Sequence, residues 1–209
     1  MDDHGGRRDS RSPWPTGPIR TRGCRVRSLS DLFRNFMQLG YVTDDIDAAA
    51  AFLESRLGTV ECVKHFKSSL GGGLPPTGAD DPRGTFVVVD GVPADEWVID
   101  VALVNAGPTN LEIIRPVGGM VDLYRGAVRP GEPATLHHLG FRVDDFDEAS
   151  AIVAASGRSW KQYGDSGAIR FGYLDMTAEL GHFVEVMELD EAAAQGFAHL
   201  EAASNANRD

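Results

Sequence analysis

The chain has 209 residues, of which 42% are hydrophobic and 24% charged, values typical of an ordinary globular protein. No apolar run approaches the roughly 20 residues that a membrane-spanning helix needs, and no apolar signal segment opens the chain, so we expect no membrane association. Two cysteines are too few for a disulfide framework, which favours a reducing, cytoplasmic setting.

The charge is unevenly distributed along the chain. Residues 1–35 hold eight arginines and four acidic residues, a net of +4, and because the whole chain carries −11 the remainder carries −15. An acidic body lacks the basic face that nucleic-acid binding requires, which excludes nucleic acid as a partner. The leader over residues 1–35 is rich in Arg, Pro and Gly without apolar periodicity, and we predict that it is disordered.

The predicted elements of the first half occupy residues 36–116. The apolar run Phe36–Val42 is typical of a strand, and the acidic residues from Asp44 supply N-cap chemistry for a helix that stops at Gly58. Further strands are predicted at Thr59–Phe66, Thr85–Asp90, Trp97–Asn105 and Asn110–Arg115. The Gly- and Pro-rich stretch Ser68–Gly84 predicts a long loop, of the kind that often lies over a binding site.

A linker over residues 117–135, containing a short helix at Val121–Val128, leads to a second half over residues 136–190. The predicted elements there are a strand at Leu136–Val143, a helix at Phe146–Ser156, and strands at Ser159–Tyr163, Ile169–Asp175 and His182–Leu189. An Ala-rich helix, Glu191–Ala203, then opens the C-terminal segment of residues 191–209. Each half therefore reads as a βαβββ module, and the fold class is α+β.

The two halves begin with the same sequence motif. The stretch from Gln38 to Ala49 aligns without a gap with the stretch from His138 to Ala149, sharing Leu-Gly, an aromatic residue, Asp-Asp, an apolar residue, Asp and Ala. Agreement over twelve positions indicates an internal duplication. The repeated Asp-Asp pairs resemble a metal cluster, but helix N-capping accounts for both.

Four polar residues stand at equivalent places in the duplication. Gln38 and His138 lie on the opening strands, while Glu112 and Glu185 each interrupt an apolar closing strand. A carboxylate within a buried strand is costly unless it is paired or bound to a metal. A pair of such carboxylates at repeat-equivalent positions indicates a shared site.

This pattern resembles the vicinal oxygen chelate superfamily, the fold of glyoxalase I, methylmalonyl-CoA epimerase, extradiol dioxygenases and bleomycin-resistance proteins. The stretches 111–116, 136–141 and 180–185 look most like its glyoxalase-like branch. The resemblance implies two modules that curl one mixed sheet into a half-barrel, with ligands meeting in its cleft. Carried over by position, the implied metal ligands are Gln38, Glu112, His138 and Glu185.

Such a ligand set suits Zn, Ni, Co, Mn or Mg. The resemblance implies a lyase, isomerase or epimerase that moves a proton next to a carbonyl of a small molecule or thioester through a metal-stabilised enolate. The near-symmetry of the two carboxylates allows either order, and of the two we assign Glu185 as the base and Glu112 the complementary role. His182, Tyr173 and Arg115 are further candidates for substrate binding. His137 should face away from His138 because side chains alternate along a strand.

Several alternatives remain open. The glutathione anchors of glyoxalase I are missing, epimerases usually have His and Gln where this chain has Gln38 and Glu112, and extradiol dioxygenases need two histidines. A binding or resistance protein of the same fold, without turnover, is the second hypothesis. Relatives often dimerise, so a homodimer is a possible assembly.

Overall fold

The structure is a computed structural model that describes residues 28–58, 60–71 and 84–206. Strands are numbered β1 to β10 and helices α1 to α5 in chain order. The strands are β1 Phe36–Val42, β2 Val60–Leu70, β3 Phe86–Val89, β4 Val92–Pro93, β5 Trp97–Ala106, β6 Thr109–Gly119, β7 Thr135–Arg142, β8 Gln162–Asp165, β9 Ile169–Met176 and β10 His182–Leu189. The helices are α1 Ile46–Leu57, α2 Asp122–Arg125, α3 Phe146–Ala155, α4 Thr177–Leu180 and α5 Glu191–Ala206.

All ten strands form one mixed sheet in the order β2-β5-β6-β1-β7-β10-β9-β8-β3-β4. Within each half, the opening strand runs parallel to the closing strand: β1 beside β6, and β7 beside β10. The two halves join where β1 pairs antiparallel with β7. The sheet curls into a half-barrel, so the predicted α+β fold class is confirmed.

The repeated Asp-Asp pairs cap helices. Asp45 accepts a hydrogen bond from the Ala48 amide at 3.0 Å, and Asp145 accepts one from the Glu148 amide at 2.9 Å. Gly58 ends α1 in the left-handed conformation, with φ of 60°. Each copy of the opening motif is therefore a strand followed by an Asp-capped helix.

Helices α1 and α3 cover the outer face of the sheet and leave the inner face to other elements. On the outer face, α1 packs Ile46 and Leu53 against β5 and β6, and α3 packs Ile152 and Val153 against β9 and β10. The inner face holds the largest apolar cluster, to which α2 and α5 also contribute. Among the described residues, no helix is both long and apolar enough to cross a membrane.

One strand from the first half of the sequence pairs with the second half of the sheet. Phe86–Val89 runs antiparallel to β8, and Val87 packs into the inner cluster. The chain then returns at Trp97 to pair β5 with β2. The second half of the sheet thus has six strands, including one short hairpin from the first half of the sequence.

The end of the leader is ordered, which corrects the prediction of disorder over residues 1–35. Leu29–Phe33 forms a 3-10 helix, and Leu32 is buried against α3. The Phe33 ring lies 5.4 Å from the Phe141 ring, and the Arg142 amide donates to the Asn35 carbonyl at 2.8 Å. Residues 1–27 and most of the predicted loop at 68–84 lie outside the described residues.

Candidate metal centre

Glycines opposite the polar residues make room for them at the joint between the halves. Gly40 pairs with His138 across the β1–β7 ladder, and Gly140 pairs with Gln38. A Cβ at Gly40 would lie 1.8 Å from Cε1 of His138, so the imidazole occupies the space of the missing side chain. A Cβ at Gly140 would lie 2.9 Å from Cβ of Gln38.

The closing strands bring the two carboxylates to the same glycines. Glu112 pairs with Gly40 in the parallel β1–β6 ladder, and Glu185 pairs with Gly140 in the β7–β10 ladder. One ligand atom from each of Glu112, His138 and Glu185 lies within 4.8 Å of the others. The structure thus brings three of the predicted ligands together, and Gln38 lines the same cavity as both carboxylates.

The cluster leaves its ligand atoms without hydrogen bonds. Nε2 of His138 lies 3.3 Å from Oε2 of Glu112 and 3.2 Å from Oε2 of Glu185, but neither contact has hydrogen-bond geometry. Oε1 of Gln38 is also buried without a partner. Buried polar atoms are normally hydrogen-bonded. Four neighbouring atoms that lack hydrogen bonds therefore indicate a place suited to a cation. Two carboxylates, an imidazole and an amide oxygen suit a divalent cation.

A β-bulge in each opening strand was not anticipated from the sequence. The β1–β7 register skips Met37 on one strand and His137 on the other, so each bulged residue directly precedes a predicted ligand. A bulge breaks side-chain alternation. His137 therefore does not face away from His138, as predicted, but lies on the same side, with the two Nδ1 atoms 3.0 Å apart.

His137 determines which nitrogen His138 presents to the carboxylates. Nε2 of His137 lies 3.2 Å from the Leu123 carbonyl, which can only accept, so this nitrogen carries the proton. Burial and the neighbouring His138 lower the pKa of His137 to about 3, so its ring is neutral and its Nδ1 is an acceptor. The Nδ1 of His138 must then donate, which leaves Nε2 of His138 as the nitrogen that faces Glu112 and Glu185.

The carboxylates control the protonation of His138. Burial acts to lower its pKa, but Glu185 and Glu112 outweigh burial and raise the pKa to about 9. Burial raises the pKa of Glu112, and the charge of Glu185 adds to the rise against the opposing effect of His138. In the metal-free protein the two carboxylates therefore favour the protonated form of His138.

The three predicted substrate-binding residues have different surroundings. Tyr173 is buried, lines the cavity, and its ring lies 5.1 Å from the His138 ring. His182 begins β10, where its Nδ1 contacts the Phe183 carbonyl at 2.8 Å, and it does not line the cavity. Arg115 is three residues from Glu112 and therefore faces the other side of the sheet, where it forms an ion pair with Asp100.

The cavity beside the cluster has a volume of about 160 Å³. The sequence did not indicate that Trp97, Tyr124, Gln162 or Phe197 lie near the site. Tyr124 lies in the predicted linker, where its ring reaches 5.1 Å from His137 and its hydroxyl accepts a hydrogen bond from Nε2 of Gln162 at 2.8 Å. An aromatic residue on a short helix between two modules is the only signal that sequence offered.

A larger depression of about 790 Å³ lies on the outer face, between α3 and β8. Its three cationic residues each have an acidic partner: Arg158 with Glu179, Lys161 with Asp90, and Arg170 with Asp147 and Glu188. It contains no ligand atom of the metal cluster. We therefore assign the chemistry to the smaller inner cavity.

Comparison with known proteins agrees with this architecture. The family model described as the Glyoxalase/Bleomycin resistance protein/Dioxygenase superfamily matches residues 37–173. The chain belongs to this superfamily. The resemblance inferred from the duplicated phrases and the four polar positions is thus confirmed.

Solved structures similar to this member of the superfamily are distant in sequence. Methylmalonyl-CoA epimerase from Mycobacterium tuberculosis is 15% identical, with a TM-score of 0.47 over 77% of this chain and 91% of that one. A Streptomyces coelicolor methylmalonyl-CoA epimerase variant in complex with 2-nitronate-propionyl-CoA is 14% identical, with a TM-score of 0.46 over 76% and 96%. A hypothetical protein from Bacillus halodurans is 14% identical, with a TM-score of 0.44 over 75% and 95%. No curated protein matches the sequence significantly.

Gly40→Ala should destroy the site. The added Cβ would collide with the His138 ring, and we expect a loss of about 2 kcal/mol or more in unfolding free energy, together with loss of metal binding. Denaturant unfolding and metal analysis measure both. Gly84→Ala is the control, because a Cβ there meets nothing within 4 Å. Equal behaviour of the two variants would contradict the proposed packing of His138 on Gly40.

Metal binding should release a proton from His138. Because the metal-free pKa is about 9, the imidazolium proton must leave at neutral pH, and apparent affinity should rise roughly tenfold per pH unit from pH 7 to 9. Above pH 9 the gain should stop. Calorimetry in buffers of different ionisation enthalpy counts the protons released. A metal affinity that does not change between pH 7 and 9 would show that metal binding does not remove a proton from His138.

His137→Phe should weaken metal binding by about 10- to 100-fold, since it removes the acceptor for Nδ1 of His138 while keeping an aromatic ring beside Phe183. His182→Phe, which removes a histidine outside the cavity, is the matched control and should leave affinity unchanged. Metal titrations of the two variants measure the difference in affinity. If both lose affinity equally, His137 has no specific role in orienting His138.

Proposed function

We propose that this protein is a divalent-metal-dependent enzyme of the lyase, isomerase or epimerase type, acting by proton transfer next to a carbonyl of a small molecule. The observation that carries the proposal is a cluster of four buried atoms without hydrogen bonds, from Gln38, Glu112, His138 and Glu185, beside a cavity that Gln38 and both carboxylates line. Zn, Ni, Co, Mn or Mg bound there would polarise the carbonyl and lower the barrier to removal of the adjacent proton.

The two carboxylates divide the proton transfer. Glu185 is the base that receives the proton, and Glu112, whose pKa burial raises, is the group suited to hold a proton and return it. Both line the cavity on strands of opposite halves, so they approach a substrate from two sides. Return of the proton to the same face of the carbon would give proton exchange, whereas return to the opposite face would give epimerisation.

Two buried tyrosines stay protonated, and one of them, Tyr124, is placed to orient the carbonyl. Burial, with the charges of Glu185 and Glu112, raises the pKa of Tyr124 and Tyr173 well above the usual value. The Tyr124 oxygen already accepts from Gln162, so its own proton is available to another acceptor. A substrate oxygen in the cavity that Tyr124 lines is the acceptor we propose.

The test is deuterium exchange at the carbon beside the carbonyl of small ketones and thioesters, followed by NMR in D₂O with each metal in turn. The wild-type protein should exchange, and Glu185→Gln should slow exchange by about 100-fold or more, because it removes the base while keeping its size. Glu112→Gln should slow the return of the proton. Glu188→Gln, a carboxylate outside the cavity on the same strand as Glu185, is the control.

Metal content separates the proposal from a binding or resistance function without turnover. The wild-type protein should hold close to one equivalent of metal, and less than about a tenth after reloading would exclude the proposed enzyme. Exchange that persists in a Glu112→Gln and Glu185→Gln double variant would remove both residues from catalysis. A protein that binds metal and ligand without exchanging any probe would favour the binding role.

A further inference from the structure

The walls of the inner cavity are apolar beyond the metal cluster. Strand β5 contributes the side chains of four successive inward positions, and β9, β10 and α5 close the opposite side. These lining residues include Trp97, Ile99, Val101, Leu103, Phe171 and Met187. Among the described residues, Glu112 and Glu185 are the only charged groups in the lining, and no lysine or arginine is present.

This lining disfavours an anionic substrate body. A buried carboxylate or phosphate is most stable beside a cationic partner, and the described walls supply no cation; the hydroxyl groups in the lining are those of Ser68, Ser166, Tyr124 and Tyr173. A divalent ion held by Glu112 and Glu185 would have its charge balanced by them. The residues beyond 35 also carry a net charge of −15, which opposes the approach of anions.

The inner cavity has room for a small molecule. About 160 Å³ is close to the volume of an apolar protein cavity, about 150 Å³, that binds benzene. This volume accommodates one ring or a short branched chain beside the reacting carbonyl. A larger body would extend beyond it, toward the wall that covers the inner face.

Helix α5 supplies that wall. It packs against β2, β5 and β6 of the first half and β10 of the second, so it lies across both halves of the inner face. Leu200 anchors it in the inner cluster, and the Ser204 hydroxyl donates to the Asn105 carbonyl at 3.4 Å. Phe197 lines both the inner cavity and an outer depression of about 200 Å³ beneath α5. Among the residues that line the two spaces, Phe197 is the one that they share.

We propose that the site takes a small, uncharged, largely apolar carbonyl compound, and that Phe197 of α5 sets its upper size. The assignment of a carbonyl rests on the proposed function. The size limit rests on the cavity walls, and the charge limit rests on those walls together with the acidity of the chain. Rotation or removal of the Phe197 ring would join the inner cavity to the outer depression and admit a longer body.

Three probes that share an acetyl group test the substrate class: acetophenone, para-acetylbenzoate and acetylnaphthalene. Binding is measured by NMR titration of the wild-type chain, metal-free and metal-loaded. Acetophenone should bind at least about tenfold more tightly than para-acetylbenzoate, whose distal carboxylate would enter the apolar part of the cavity. Acetylnaphthalene should bind more weakly than acetophenone because its second ring meets Phe197.

Variants of α5 test the size limit. Phe197→Ala should improve acetylnaphthalene binding about tenfold relative to acetophenone, and Phe197→Leu should give a smaller shift in the same direction. His199→Ala, on the exposed face of the same helix, should leave the preference unchanged. Thermal unfolding checks each variant, and Phe197→Leu retains enough apolar volume to test the size limit if the alanine variant does not fold.

The outcomes separate this inference from the proposed function. Binding of para-acetylbenzoate within about threefold of acetophenone would overturn the substrate class, as would failure of acetophenone to bind either form of the protein. An unchanged size preference in both Phe197 variants would overturn the role of that residue. The preference is measured in metal-free protein and without turnover, so loss of catalysis in the exchange experiment leaves it standing.

Discussion

The antiparallel pairing of β1 with β7 sets the position of every polar group in the site. Each residue in such a ladder faces one partner, and here a glycine faces a polar side chain in both directions. Gly40 leaves its volume to His138, and Gly140 leaves space for Gln38. Because the same glycines pair with Glu112 and Glu185 in the parallel ladders, two missing side chains make room for four ligands.

This arrangement buries charged and polar groups together without giving their inner atoms hydrogen bonds. Two carboxylates and one imidazole are gathered in a buried place where Nε2 of His138 cannot hydrogen-bond well to either oxygen. Four of the buried polar atoms that lack hydrogen bonds in the described residues belong to this one cluster, and such exceptions are common at functional sites. The two carboxylates raise the pKa of His138, so a protonated imidazole can balance part of their charge.

The sequence alone predicts the duplication, the capped helices and the four ligand positions, since each depends on local pattern or on register between repeats. Residues whose position depends on tertiary packing were not predicted. His137 was expected to face away because a bulge has no sequence signature in a run such as Leu-His-His-Leu. Phe197 approaches the cavity only because α5 folds back over the inner face, and β3 joins the far half only through tertiary pairing.

The two halves of the fold make different contributions to the site. Both opening strands carry a bulge before the ligand, but the first half has Met37 where the second has His137, so only the second half can orient an imidazole through a hydrogen bond. Each closing strand is followed by a helix, but α2 has 4 residues and α5 has 16, and the two add different aromatic residues, Tyr124 and Phe197, to one cavity. Duplication thus supplies a symmetrical set of polar positions, and under the proposed function these unequal elements would determine which nitrogen faces the metal, which hydroxyl donates and what size of molecule fits.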